Sequence, residues 1–396
     1  SSFQPVKVLK GTLRLGRLAS LPRKVLVVIQ FTVSVVLTIG TTVVYQQIQF
    51  ARNRPVGYDR QGLISVSMND PNYNGKYDVI KNELLNTGAV SEMAFSSSPI
   101  TDVWNNVGGF TWSGKDPELA SDFSVTNVTR DFGDLVGWQI IAGRDFSRSF
   151  KSDSAALIIN ETAAKYLKLK NPVGEFIKTS DGTMSWQVIG VIKDLIMTSP
   201  YSPEKRAFFF LDFKYNASSQ IHIRIKPTVS ASEALPKIET VFKKIVPSAS
   251  FDYKFVDLEY SRKFGQEERI GKLASLFAVL AIFISCLGLF GLASFVAEQR
   301  AKEIGIRKVM GASVINLWKM LSKDFVILVI ISTLISIPVA SYIMNNWLQK
   351  YEYRTGMPWW VFAGAGLSAL VITLVTVSYQ SIKVALANPV NSLRSE

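Results

Sequence analysis

Residues 25–44 read VLVVIQFTVSVVLTIGTTVV, twenty positions without a charge or a proline. As a helix this run extends roughly 30 Å, the thickness of a bilayer's hydrocarbon core. Backbone groups at that depth must be satisfied within the segment, so the run is expected to be a membrane helix. Lys7, Lys10, Arg14, Arg17, Arg23 and Lys24 precede it, and no acid does. Cations mark the cytoplasmic flank, which puts the N-terminus inside and the chain after Tyr45 outside. The run is too long for a signal-peptide core and no A-x-A-like site follows, so the span is expected to be retained.

Three further apolar runs follow, at 273–297, 325–344 and 359–379. None of the four carries an acidic or basic residue, which argues against a proton-coupled transporter or a pore in this chain. Between the first two runs, residues 58–257 contain nothing long enough to span. Strand-like patterns fall at 63–68, 123–128, 155–159, 186–192, 207–211, 221–225 and 251–256, and helix-like ones at 77–85, 131–136, 160–167 and 231–245. The expected fold class is an α-helical membrane protein with four transmembrane helices and a large α+β extracytoplasmic domain between helices 1 and 2, joined by helical stalks. Its expected segments are a basic cytoplasmic stretch (1–24), helix 1 and stalk (25–57), the domain (58–257), stalk and helix 2 (258–297), a cytoplasmic segment (298–323), helix 3 (324–346), an outer loop (347–357), helix 4 (358–382) and a cytoplasmic tail (383–396). In the first stalk Val44, Ile48 and Ala51 share a face, as for a helix packed on a partner. In helix 2, Ser285, Gly288, Gly291 and Ser294 recur at a spacing that allows close helix approach.

The formal net charge of +13 raises the question of nucleic acid. Much of the excess sits beside the spans, where it sets topology, so no nucleic-acid partner is expected. A single cysteine, Cys286, excludes an intrachain disulfide. The single histidine, His222, lies in an alternating strand pattern and is not expected to be a metal ligand or a catalytic group. There is no phosphate-binding loop, no H-E-x-x-H, no C-x-x-C and no G-x-S-x-G. Asp131 and Asp134 read as helix-start or surface carboxylates. No catalytic, cofactor-binding or metal residue is assigned, and the chain is expected not to be an enzyme.

The cytoplasmic stretch EQRAKEIGIRKVMGAS (298–313) resembles the signature of the MacB/FtsX-type ABC transporter permeases, R-x-x-E-I-G-I-x-[RK]-x-x-G-A-S after the second span. Arg300, Glu303, Ile304, Gly305, Ile306, Gly311, Ala312 and Ser313 carry the match, with Lys308 at its [RK] position and Arg307 at the variable position before it. FGDLVGWQIIAGRDFS (132–147), INETAAKYL (159–167) with NPVGEFI (171–177), and VIGVIKD (188–194) resemble motifs of that family's periplasmic core domain, and ANPVNSLRSE (387–396) its tail. These motifs read as fold markers, and Gly143 and Gly174 as positions with unusual backbone dihedrals.

The resemblance implies a permease subunit in a bacterial cell membrane, with both termini cytoplasmic and the large domain outside. A separate cytoplasmic ATPase dimer, holding ATP and Mg, would dock on residues 300–313. Ile304, Ile306, Val309 and Met310 would offer an apolar face there, and Arg300, Arg307 and Lys308 polar contacts. The stroke would reach the domain through the stalks for export or extraction of a substrate. An FtsX-like signalling unit that controls an outer hydrolase or a sensor kinase is the alternative. A second permease unit is implied, and an envelope adaptor stays open. Pro5-Val6-x-x-Leu9-Lys10 resembles Pro389-Val390-x-x-Leu393-Arg394, so the chain is expected to be the second half of a duplicated, eight-span permease.

Overall fold

The computed structural model describes residues 21–386 apart from 117, 213, 215 and 216. The basic segment before residue 21, the tail after 386 and the repeat between them lie outside the described residues. The chain forms two compact units. One is Ala51–Gly265, and the other holds the long helices.

Among the described residues, four helices are long and apolar enough to cross a membrane. They are α1 (Leu21–Arg52), α7 (Gly265–Gln299), α9 (Val314–Leu348) and α10 (Trp359–Leu386). Helix α1 runs without a break past the end of the apolar run, which is the helical stalk expected from the sequence. Val44 and Ile48 on it are buried, and Gly271 of α7 comes so close that an added Cβ would lie 3.4 Å from Val44. Polar side chains stitch the bundle where hydrocarbon offers no partners. The hydroxyls of Ser34 and Ser285 meet at 3.0 Å, and Ser336 donates to the Thr32 carbonyl at 3.1 Å. An added Cβ on Gly288 would lie 2.6 Å from Oε1 of Gln30, Ser294 accepts from Gln380, and Gly291 faces open space. Three of the four small residues of that row therefore mark real contacts, with two different helices. Buried Gln47 donates to the Tyr353 carbonyl at 2.9 Å and accepts from the Thr355 amide at 2.8 Å, which ties the outer loop to α1.

The unit Ala51–Gly265 is one mixed sheet in two halves. The first half has the order β12 (Tyr253–Phe255), β1 (Leu63–Ser67), β11 (Gln220–Ile225), β2 (Val90–Ser96), all antiparallel. Helices α2 (Tyr77–Asn86) and α5 (Ala231–Ile245) cover one face and bury Ile64, Phe95, Ile223, Leu84, Ile238 and Phe242 with it. Ser230 caps α5 by accepting from the Glu233 amide, and the short helix α6 (Val256–Arg262) follows β12. The second half continues through β5 (Asp122–Val128), β10 (Ala207–Leu211), β7 (Ala156–Asn160), β9 (Ser185–Ile192), β8 (Phe176–Thr179) and β4 (Phe110–Thr111). Strand β3 (Asn106–Gly108) adds to β5, and β6 (Ile140–Gly143) to β9. Helix α4 (Glu161–Leu167) packs on this half over a core rich in aromatics, among them Phe110, Phe123 and Phe208. The two halves share a single ladder pair, Ser96 opposite Val128.

The alternation of IHIRI predicts one buried and one solvent-facing side for β11. Both sides are covered, because the short helix α3 (Phe132–Val136) lies over the second. His222 is fully buried there. Its ring nitrogens each lie 2.7 Å from a serine hydroxyl, Ser65 on one side and Ser96 on the other. It is a satisfied core group, on the side of β11 that the alternation alone would have left to solvent. Burial pushes its pKa down to about 4, so the folded ring stays neutral where the unfolded one is protonated. The stabilisation is present in full above about pH 6.5 and is lost as the pH falls toward 4, about 3 kcal/mol in all. Asp145 runs the other way. Burial pushes its carboxyl up to about 6, against hydrogen bonds from Trp138 and the Phe146 amide, so its contribution falls as the pH rises through that value. Comparing wild type with His222→Gln isolates the histidine. The gap in Tm between them is expected to shrink by roughly 5 °C or more from pH 7 to pH 4.5. A gap that ignores pH would remove the buried-neutral assignment.

Candidate functional site

The stretch that carries the permease-like signature folds as a short helix, a turn and the start of a long helix. Helix α8 (Ala301–Val309) follows α7 directly. Its first turn is closed by the Ile304 amide on the Arg300 carbonyl at 2.9 Å. Glu303 and Arg307 pair one turn apart at 2.7 Å. Gly311 ends the helix at φ +89°, a conformation that glycine adopts without a Cβ clash. The Gly311 and Ala312 amides fold back onto the carbonyls of Lys308 and Arg307, at 3.0 and 2.9 Å. Ser313 then caps α9 by accepting from the Asn316 amide. The glycine, alanine and serine of the signature are thus turn chemistry.

Two contacts fix α8 on α9. Ile304 is 4% exposed and packs on Leu317 and Leu321, with Val296 and Met320 around them. Arg300 reaches Asp324 at 3.1 Å. Gly305 is also buried. The expected apolar docking face therefore needs one correction. Ile304 is turned inward and belongs to the chain's own packing, so it is no part of a surface open to a partner. Ile306, Val309 and Met310 do face solvent, Met310 at 81% exposure, and Val314 and Ile315 extend the same exposed set. Leu317 and Leu321 hold the segment, and their spacing, one turn apart on the lead-in helix, is the sequence signal that marks them. Asp324 was legible only as a charge at the edge of a span.

In the other unit, the sequence motifs come together and act structurally. An added Cβ on Gly143 would stand 2.2 Å from the Ile189 carbonyl oxygen, and one on Gly190 would stand 2.3 Å from that of Arg144. The motifs at 132–147 and 188–194 thus cross backbone to backbone. Arg144 grips fully buried Asp153 through two nitrogens, at 2.9 and 2.6 Å. Asn160 caps α4 and donates to Asp194 at 2.6 Å, which joins the second and third motifs. Gly174 sits at φ +98° in an open turn. Asp131 does not cap α3 with its side chain. It accepts from the Tyr77 hydroxyl at 2.6 Å and pairs with Lys81 at 2.9 Å.

The model of the MacB-like periplasmic core domain matches residues 25–241, more than half of the chain, and that of the FtsX-like permease C-terminal domain matches residues 275–389. The chain belongs to the MacB/FtsX family of permeases. A MacB/FtsX-type permease is the membrane component of an ABC transporter, a multi-pass protein with an extracytoplasmic domain. Here that domain is Ala51–Gly265, between the first and second spanning helices. Among relatives, the pyoverdine export ATP-binding/permease protein PvdT of Pseudomonas fluorescens Pf-5 is 22% identical over 282 residues, 67% of this chain and 42% of its own. Its counterpart in strain Pf0-1 is 21% identical over 283 residues, with the same coverage. The permease thus spans about two fifths of the length of these curated relatives. Similar solved structures include the periplasmic region of MacB from Actinobacillus actinomycetemcomitans (12% identity, 50% of this chain and 91% of that one, TM-score 0.37). The extracellular domain of the noncanonic ABC-type transporter YknZ from Gram-positive bacteria is another (15% identity, 48% and 98%, TM-score 0.34).

Proposed function

We propose that this permease couples ATP hydrolysis by a separate cytoplasmic ATPase dimer to movement of its outer domain, for export or extraction of a substrate. The observation that carries the reading is the construction of residues 300–324. Ile304 and Arg300 fasten α8 to α9, and the fastened helix presents Ile306, Val309 and Met310 to solvent. An apolar set exposed beside cations, at the end of a membrane helix, fits a protein partner better than water. A load applied to α8 would pass into the spanning helix α9, because the two share a packed cluster. Export as the direction is supported by the name of the Pseudomonas relatives. The reading places both termini in the cytoplasm of a bacterial cell, with the cations around 298–323 on the inner face. It assigns ATP and Mg to the partner and no cofactor to this chain. It also calls for a second permease unit, as a homodimer or a preceding half.

The test is hydrogen exchange on the full chain, purified with its ATPase in lipid nanodiscs. Trapping the ATPase with ATP and vanadate is expected to change exchange within Ala51–Gly265 by about tenfold at its most responsive amides. Identical exchange in that domain with and without vanadate would contradict coupling.

A further inference from the structure

The chain enters the outer domain just after Arg52, the last residue of α1, and leaves it just before Gly265, the first of α7. Side chains at both points hold the same loop, residues 193–206 between β9 and β10. Arg54, 5% exposed, donates to the carbonyls of Pro200 at 2.9 Å and Ser202 at 2.7 Å and pairs with Glu204. Lys263 donates to the carbonyls of Met197 at 3.0 Å and Thr198 at 2.7 Å, and to that of Thr101. The backbone adds to this grip. The Ile196 amide donates to the Val56 carbonyl at 2.9 Å, and Gly57, at φ +82°, lies so close that a Cβ would stand 2.2 Å from the Asp194 oxygen. Charge-assisted bonds from a buried guanidinium and an ammonium are strong and set direction as well as distance.

The loop is fastened again at its far side. The Asp194 carboxylate accepts from Asn160 at 2.6 Å and from the amide and the hydroxyl of Thr162, both at 2.9 Å. At the other end, the Lys205 carbonyl accepts from Asn160 at 2.7 Å. Asn160 and Thr162 stand at the start of α4. That helix, with Lys165 and Tyr166, forms one wall of an open polar cleft whose rim continues through Glu204 and Arg206. The loop thus joins the domain's entry and exit points to a cleft wall.

We propose that Arg54 and Lys263 are the positioning residues through which movement of the two flanking helices reaches this cleft. When entry and exit segments shift, they draw loop 193–206 with them. The loop moves α4 through Asp194 and Asn160 and so reshapes the cleft. This rests on the coupling proposed above. Residues that only sealed loop carbonyls would affect stability and nothing else, and that is the distinction to measure.

The experiment is residue-level hydrogen exchange on the full chain with its co-purified ATPase in nanodiscs, without nucleotide and trapped with ATP and vanadate. In wild type, the amides of Ile196, Thr162 and Ala163 are expected to change by about tenfold. In Lys263→Met the change at Thr162 and Ala163 is expected to vanish while ATP hydrolysis continues. Lys244→Met, which removes an exposed pair with Glu83, serves as the control and is expected to behave as wild type. Should Lys263→Met not fold, Arg54→Lys, which keeps the charge and loses the fork of donors, gives the same reading. Persistence of the α4 response in these variants overturns the proposal. So does a wild-type response confined to other parts of the domain, which leaves the coupling reading standing. No response anywhere in the domain, or no ATPase to purify, removes the coupling reading and this proposal with it.

Discussion

Gly143→Ala is expected to cost the outer domain roughly 4 kcal/mol and to lower its Tm by about 10 °C, read by tryptophan fluorescence on the purified chain. Two effects add. Gly143 sits at φ +74°, where a Cβ costs about 1–2 kcal/mol. The same Cβ would also stand 2.2 Å from the Ile189 carbonyl, and backbone in a paired strand has nowhere to go. The strand containing Gly143 would have to leave β9, and with it the Arg144 clamp on Asp153. Gly182→Ala is the comparison. Gly182 has φ +71° and nothing within 4 Å of its added Cβ, so only the dihedral cost of about 1 kcal/mol applies. Equal losses at the two positions would mean that the close crossing of β6 and β9 is not what holds this region.

Ile304→Asp is expected to release α8 from α9. A carboxylate placed among Leu317, Leu321, Val296 and Met320 is buried against apolar side chains, and burying a charge there costs roughly 3 kcal/mol or more. That exceeds what the surface pair Arg300–Asp324 can hold, since exposed pairs contribute about 1 kcal/mol at most. Limited proteolysis of the purified chain should then cut within 300–313 at least about tenfold faster than in wild type. Met310→Asp places the same charge at an exposed position and should leave the cleavage rate at the wild-type value. If the two variants are cut alike, Ile304 does not anchor the segment.

This pair also shows what the sequence could and could not disclose. The signature at 300–313 announced a helix, a turn at Gly311 and a cap at Ser313, because these follow from local chemistry. Which side of α8 faces inward depends on Leu317 and Leu321, so Ile304 read as surface when it is core. The spans were legible as uncharged runs, and β7, β9 and β10 as short apolar runs. Strand β2, VSEMAFS, was missed, although it lies at the junction of the two sheet halves. Its Ser and Glu break the alternation, and its burial comes from α2 and α3 on opposite faces. Strand β6 was missed because Gly143 reads as a turn, and its pairing rests on the matching glycine in β9. The loop 193–206 carries no periodic signal at all. Its meaning lies in Arg54 and Lys263, which reach it from points far apart in the chain.

The most direct test of the account is purification of the tagged full-length chain from its native membranes, with ATP hydrolysis assayed in the eluate, for wild type and Met310→Asp. An ATPase activity is expected to accompany wild type and to fall at least about tenfold in Met310→Asp, because the substitution strikes the exposed apolar face and spares the fold. An eluate without ATPase activity in wild type, or activity undiminished by Met310→Asp, would contradict docking at this segment and the coupled permease with it.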